Sequence, residues 1–253
     1  MAFSDDLKKG ADSIILEGEF QIEEVNYIPK KGDSKPTFGQ NSLEFGASIL
    51  YIDIRKSTEI LKNFYSKTLA RINKLFLYTV TKIAIGEGGE VRSFDGDSIL
   101  VFFHGWSKES INDAVKAAMK MTYALRYDNY ISVKFDDLLK KDGLKMKLDF
   151  GIGVDCSERI LCIKSGVSGD ASTQDLVWLA KEVNNAAHLS KDSDNNRNNV
   201  RISSLVYKNL KDKTGYGISK QLVTDNIWQG ENYDYLTSEY ISYIPNKGWH
   251  EYY

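Results

Sequence analysis

The chain has 253 residues, and its 33 Lys and Arg against 35 Asp and Glu give a formal net charge of −2. That length buries a full core without staples, and the near-neutral balance lacks the basic excess of a dedicated nucleic-acid binder. Apolar residues at 42% with 27% charged describe a globular chain, no apolar run approaches the ~20 residues of a membrane span, and the first residues (MAFSDDLKKGADS) lack the apolar stretch of a signal peptide. Two cysteines, Cys156 and Cys162, cannot build a disulfide framework and suit a reducing cytoplasm. With only three histidines they make no Cys/His zinc spacing, so both are expected to be small core residues.

Residues 1–45 are mixed and polar, with turn signals at Lys30-Lys31-Gly32-Asp33 and Gly39-Gln40-Asn41. Ala47–Ile54 (ASILYIDI) reads as a strand, being β-branched, aromatic and short. A long helix is predicted from Ser57 to Ala84. There Ile60, Leu61, Phe64, Leu69, Ile72, Leu75, Phe76 and Val80 recur at helical spacing, with Ser57 or Thr58 as N-cap and Gly86 as stop. Two strands follow, Glu90–Phe94 and Ser98–Phe103, and the Asp95-Gly96 between them is a hairpin signal. Helices are predicted over Lys108–Tyr127 and Ile131–Lys140. A second hairpin is predicted from Lys145–Val154 and Arg159–Ile163. A helix is then expected over Asp175–Leu189, a polar loop over Lys191–Arg201 and a short helix near Ser204–Leu210. The order β-α-β-β-α-β with additions predicts an α+β sandwich, one domain over residues 1–253 with helices packed on a sheet.

Three segments carry candidate chemistry. Along a strand Ile49, Tyr51 and Asp53 share one face, and a carboxylate closing an apolar strand is costly unless it binds something. The residues after it, Arg55, Lys56, Ser57 and Thr58, lead into a helix start whose unpaired N–H groups suit a phosphate. The plainer alternative is that Asp53 caps that helix or pairs with Arg55. Asp97 follows the hairpin glycine Gly96 and could join Asp53 as a second ligand of a hard, oxygen-liganded divalent metal, although an Asp-Gly-Asp turn is often only a turn. Asn184 and His188 are four apart on a predicted helix, one amide and one imidazole on one face, where a surface cap is the plainer alternative.

In this order the segments resemble the class III nucleotidyl cyclases, the catalytic domains of adenylyl and guanylyl cyclases. The matches are Tyr51-Ile52-Asp53-Ile54-Arg55-Lys56-Ser57-Thr58, then Gly96-Asp97, then Val183-Asn184-Asn185-Ala186-Ala187-His188-Leu189. The resemblance runs from about Ala47 to Ser190, within a catalytic core of about residues 45–205. It implies a ferredoxin-like sheet and a head-to-tail homodimer. It also implies two Mn2+ or Mg2+ ions held by Asp53, Asp97 and the Ile54 carbonyl, with Asn184 on the ribose. Two departures stand out. Lys56 replaces the turn glycine and His188 the helix arginine, and imidazole carries charge only part of the time near neutral pH. Lys56, Arg55 or His188 itself would have to make up the lost charge.

The purine-reading positions of that family hold Ser93 and Val177 here. With Leu176-Val177-Trp178 and the aromatic C-terminal segment (Tyr233, Tyr235, Tyr240, Tyr243), this chain looks like the stand-alone pyrimidine cyclases of bacterial Pycsar anti-phage systems. That likeness implies a cytoplasmic enzyme making cyclic UMP from UTP, with cyclic CMP second. It also implies a separate effector protein activated by the cyclic nucleotide, and no nucleic-acid or membrane partner. Tyr51 would narrow the base pocket, and Arg92 would donate to a pyrimidine carbonyl. An adenylate or guanylate cyclase with unusual base reading, or an inactive nucleotide-sensing relative, are the rivals. Two other signals fail. Asp192-Ser193-Asp194-Asn195-Asn196 lacks the EF-hand glycine, where Arg197 stands, and Gly151-Ile152-Gly153 lacks the third glycine of a dinucleotide fingerprint.

Overall fold

The computed structural model describes residues 2–15, 20–55, 57, 66–141, 147–191, 199–210, 227–235, 238–245 and 249. One sheet organises them, in the order β3 (Glu90–Asp95), β4 (Ser98–His104), β2 (Asn41–Ile54), β5 (Phe150–Ser165), β7 (Val200–Ser203), β9 (Ser238–Pro245) and β8 (Trp228–Tyr235), with β1 (Gln21–Glu24) and β6 (Asp175–Leu179) added alongside β2 and β5. An inner strand, β2 (Asn41–Ile54), extends the predicted ASILYIDI segment toward the N-terminus. It pairs antiparallel with both β4 (Ser98–His104) and β5 (Phe150–Ser165). The hairpin of β3 (Glu90–Asp95) and β4 forms as predicted, but one residue later than Asp95-Gly96: Asp95 pairs with Ser98, and Gly96, at φ 61, makes the two-residue turn with Asp97.

Period two divides the apolar residues of the sheet between its faces. Leu50, Ile52 and Ile54 of β2, with Ile99, Val101 and Phe103 of β4, meet three helices: α2 (Ser66–Gly86), α3 (Lys108–Arg126) and α4 (Ile131–Lys141). The small Ala114, Ala117 and Ala118 are fully buried in α3. Ser107 caps that helix by accepting from the Ser110 N–H, an interaction worth about 1 kcal/mol. The opposite face carries Phe45, Ile49, Leu100 and Phe102 beneath α5 (Lys181–Lys191). There Phe45, Phe102 and Trp178 meet edge to face, with centroids 5.1–5.8 Å apart.

The structure corrects three sequence expectations. No turn interrupts residues 150–165. The Asp155–Arg159 stretch, polar enough to suggest a turn, lies within one 16-residue strand that follows β2 across a register shift between Phe45 and Ser48. Residues Asp175–Leu179 are not helical but form β6, antiparallel to β5, with Leu176 and Trp178 turned inward and Val177 and Leu179 outward. The helix begins only at Lys181. The predicted Lys191–Arg201 loop ends early, because Val200–Ser203 is strand β7, parallel to β5. The N-terminal region, read as merely polar, holds α1 (Ala2–Ile15) and β1 (Gln21–Glu24). At the far side, α6 (Ser204–Asn209) matches its prediction and is followed by the β8 (Trp228–Tyr235) and β9 (Ser238–Pro245) hairpin. Cys156 and Cys162 are free and buried as expected, and burial pushes both thiols up to about 12.

Candidate active site

Asp53 closes β2 in register with Ser98, the residue after Asp97, so strand pairing brings the two expected carboxylates together. Burial first, and the neighbouring Asp97 charge second, push the Asp53 carboxyl up to about 6. The Ile54 N–H donates to the Asp53 carboxylate, partly offsetting that cost. One oxygen of Asp97, Oδ2, is buried with no hydrogen-bond partner among the described residues. A buried carboxylate oxygen without a donor, facing a second carboxylate, fits a cation better than it fits a structural role. Among the described residues no three His, Cys, Asp or Glu side chains cluster for a metal. Asp53, Asp97 and the Ile54 carbonyl would therefore hold an ion only with oxygens from a substrate completing the shell. That donor set suits Mg2+ or Mn2+.

Tyr51 stands beside this pair on the same face of β2. Its hydroxyl lies 2.7 Å from Ser98 Oγ, which itself donates to the Asp95 carbonyl at 2.9 Å. The Tyr51 O–H is thus the donor of its own bond, and its oxygen offers a ligand lone pairs only. Burial raises the Tyr51 hydroxyl above its ordinary range, and the charges of Asp53, Asp95 and Asp97 add to that shift.

Two arginines lie elsewhere than expected. Arg55 Nε donates to the Ser190 carbonyl at 3.1 Å, and its guanidinium faces Asp149 at 3.8 Å. It therefore ties the end of β2 to the end of α5. Arg92 falls in the register shift between Val91 and Ser93, where a bulge re-aims a side chain. It donates to the carbonyls of Pro29 (2.6 Å), Ile28 (2.8 Å) and Val91 (3.2 Å) and pairs with Glu90. Four N–H groups committed in this way make Arg92 an anchor for the 28–29 segment, which corrects its expected role as donor to a base. Ser57 is helical and half-buried. Lys56 and Thr58 lie outside the described residues, as do Asp192 to Arg197.

The helix α5 lies directly on β5. A Cβ at Gly151 would stand 1.8 Å from the Ser190 carbonyl oxygen, and one at Gly153 would stand 2.0 Å from that of Ala186. Only glycine permits this approach. Gly151 pairs with Asp53 and Gly153 with Tyr51, so the last turn of α5 ends beside the carboxylates. Asn184 and His188 are both exposed on this helix. Lys191, which the sequence analysis passed over, lowers the cost of the Asp53 charge by its own positive one. The i, i+4, i+7 spacing of Asn184, His188 and Lys191 is the signal that could have found it.

No family model matches the chain. Similar structures include an adenylyl cyclase from P. aeruginosa, at TM-score 0.61 and 18% identity, covering 82% of this chain and 96% of that one. A guanylyl cyclase matches at TM-score 0.57 and 14% identity, covering 80% and 92%. The fold is that of the class III nucleotidyl cyclases. Among curated relatives, a protein named uridylate cyclase from Burkholderia cepacia is 28% identical over 92% of this chain and 93% of its own length. Another of that name, from Treponema porcinum, is 29% identical over 96% of this chain and 82% of its own. Among the described residues no helix is long and apolar enough to cross a membrane.

Proposed function

We propose that the protein is a pyrimidine nucleotide cyclase that converts UTP to 3′,5′-cyclic UMP and pyrophosphate. The observation that carries this is that relatives similar over nearly the whole chain all bear the name uridylate cyclase. Supporting it from the site, the carboxylates of Asp53 and Asp97 meet at the mouth of a cyclase-type sheet.

In this reaction the ribose 3′ hydroxyl gives up its proton to water, its oxygen forms a bond to the α-phosphorus, the bond to the bridging oxygen breaks, and pyrophosphate leaves. Bound divalent ions supply acidification of the 3′ hydroxyl and neutralisation of the phosphates. The chain itself positions the nucleotide, which is most of the work in phosphoryl transfer. Asn184 would hold the ribose, and His188 would lie against the transferring phosphoryl group. Tyr51 would flank the base and leave room for one ring. Its lone pairs suit the N3–H of uracil and equally the amine of cytosine, so cyclic CMP is expected as a further product. Lys191 would add positive charge at the triphosphate.

The resemblance to cyclases further suggests a head-to-tail homodimer whose sites combine the carboxylates of one copy with the Asn184 helix of the other. It also suggests a cytoplasmic role in anti-phage defence, acting through an effector protein that responds to the cyclic nucleotide. Purified protein incubated with each of the four nucleoside triphosphates and Mn2+, with products read by mass spectrometry, tests the core of this reading. Cyclic UMP is expected as the main product. Faster conversion of ATP or GTP would leave a cyclase of another specificity, and no product from any of the four would point to the inactive relative.

A further inference from the structure

One buried acid takes no part in the chemistry above. Asp155 lies in the middle of β5, 3% exposed, and pairs in register with Ile49 of β2. Its carboxylate accepts three hydrogen bonds from three separate places. Ser203 Oγ donates at 2.6 Å and the Cys156 N–H at 2.9 Å, both to Oδ1, while Asn185 Nδ2 donates to Oδ2 at 2.7 Å. Ser203 is also the N-cap of α6, accepting from the Val206 N–H at 3.2 Å. One side chain thus binds the central sheet to α5 and to the β7–α6 junction. Burial pushes its carboxyl up to about 6, so keeping it there has a cost that leucine or alanine would not incur.

The bond to Asn185 is the informative one. Gly151 and Gly153 let α5 lie flat on β5, the Glu182 carboxylate accepts from Ser157 Oγ at one end and the Ser190 carbonyl accepts from Arg55 at the other, and the Asp155 bond adds a side-chain anchor between those ends, next to Asn184. Asn185 is the neighbour of Asn184 and three residues from His188. We infer that Asp155, through its hydrogen bond to Asn185, is a positioning residue that fixes the rotation of α5 and so aims Asn184 and His188. A helical side chain ends about 5–6 Å from the axis, so a turn of roughly 10° moves its tip by about 1 Å. A misplacement of that size can cost about a hundredfold in rate. The inference takes its catalytic readout from the proposed cyclase activity.

The test uses full-length protein, with UTP and Mn2+ for turnover and amide hydrogen exchange over residues 181–191 as a readout independent of activity. Asn185→Ala removes the link while leaving Asp155 bonded to Ser203 and Cys156. It is expected to lower kcat at least tenfold and to speed exchange in α5 at least tenfold. The reciprocal variant, Asp155→Asn with Asn185→Asp, restores an acid-to-amide bond across the same gap. It is expected to recover kcat to within about threefold of the wild type and to return exchange to its original rate. Should Asn185→Ala fold poorly, the reciprocal variant still decides. If it stays slow and exchanges fast, the inference is overturned, as it is by unchanged exchange in Asn185→Ala. Wild-type protein inert toward all four nucleotides would instead overturn the cyclase reading, and the exchange data would still judge the lock.

Discussion

Replacing Asp53 by asparagine should stabilise the metal-free protein while removing its activity. The carboxyl stands at about 6 in the fold against an ordinary 3.8. At about 1.36 kcal/mol per unit this is roughly 3 kcal/mol held against folding once the group is ionised. Asp53 is partly exposed, and water screens such a charge, so about 1–2 kcal/mol is the expected effect. The sign follows from the direction of the shift. The folded state holds this proton more tightly than the unfolded chain, so stability falls as pH rises from about 4 to about 6 and is level above. Asparagine keeps an oxygen for the Ile54 N–H but carries no charge, so Asp53→Asn escapes that fall. For a chain of this length about 1 kcal/mol corresponds to roughly 2–4 °C. Thermal melts in EDTA at pH 7.5 should therefore place Asp53→Asn roughly 2–8 °C above the wild type, with the gap shrinking near pH 5. Added Mn2+ should raise the wild type and leave the variant where it was. A variant that melts at or below the wild type in EDTA would refute the claim that the two carboxylates strain the empty fold.

The same geometry sets other outcomes. Gly153→Ala would press a methyl group against the Ala186 carbonyl oxygen at 2.0 Å and Leu189 Cβ at 2.8 Å, so it should cost about 1–3 kcal/mol, measured by urea titration. An unchanged midpoint would mean that α5 moves away freely. Asp97→Ala should abolish turnover and leave the circular dichroism spectrum intact, as should excess EDTA on the wild type. Tyr51→Ala should lower kcat/KM for UTP by tenfold or more and narrow its lead over ATP, with Mn2+ binding by calorimetry less affected. Mixing inactive Asp53→Ala with inactive Asn184→Ala should regenerate activity through hybrid sites, and no recovery from copies shown to exchange would argue against shared sites.

What the sequence made legible was local. The run of β-branched and aromatic residues in β2, the hairpin at Gly96 and the alanine stripe of α3 each follow from short-range rules, and each appears in the structure, the hairpin one residue later than its Asp95-Gly96 signal. What it concealed depends on distant partners. Asp155 reads as a turn residue because its donors, Asn185 and Ser203, are 30 and 48 residues away. The run from Leu176 to Ala180 is apolar throughout, so it blends into the helix after it, and only pairing with β5 reveals its period of two. The strand β1 is exposed along its whole length and carries no alternating pattern, since its place is fixed by backbone pairing with β2. The expected role of Arg92 rests on its place beside Ser93, a base-reading position of the family this chain resembles, whereas the bulge turns it toward the carbonyls of residues 28 and 29.

The arrangement of α5 bears directly on whether one copy can complete a site. Ser190 lies over Gly151, the register partner of Asp53, and Lys191 acts on the Asp53 charge, so the C-terminal end of the helix belongs to the carboxylates of its own chain. Asn184 stands seven residues earlier, which at 1.5 Å of rise per residue is about 10 Å along the axis. The reacting oxygen and phosphorus of a cyclisation must come within about 3–3.5 Å of each other, so the group that holds the ribose must work close to the metal carboxylates. An amide about 10 Å away along a helix seated firmly on β5 does not reach that point, whereas Asn184 and His188 lie on the exposed face of that helix. A second copy docked head to tail would bring its Asn184 face to the carboxylates that the first copy's helix reaches only with Lys191. If a strictly monomeric form of the protein turned over UTP at the full rate, that division of labour would be wrong, and α5 would have to shift by about two turns to serve its own chain.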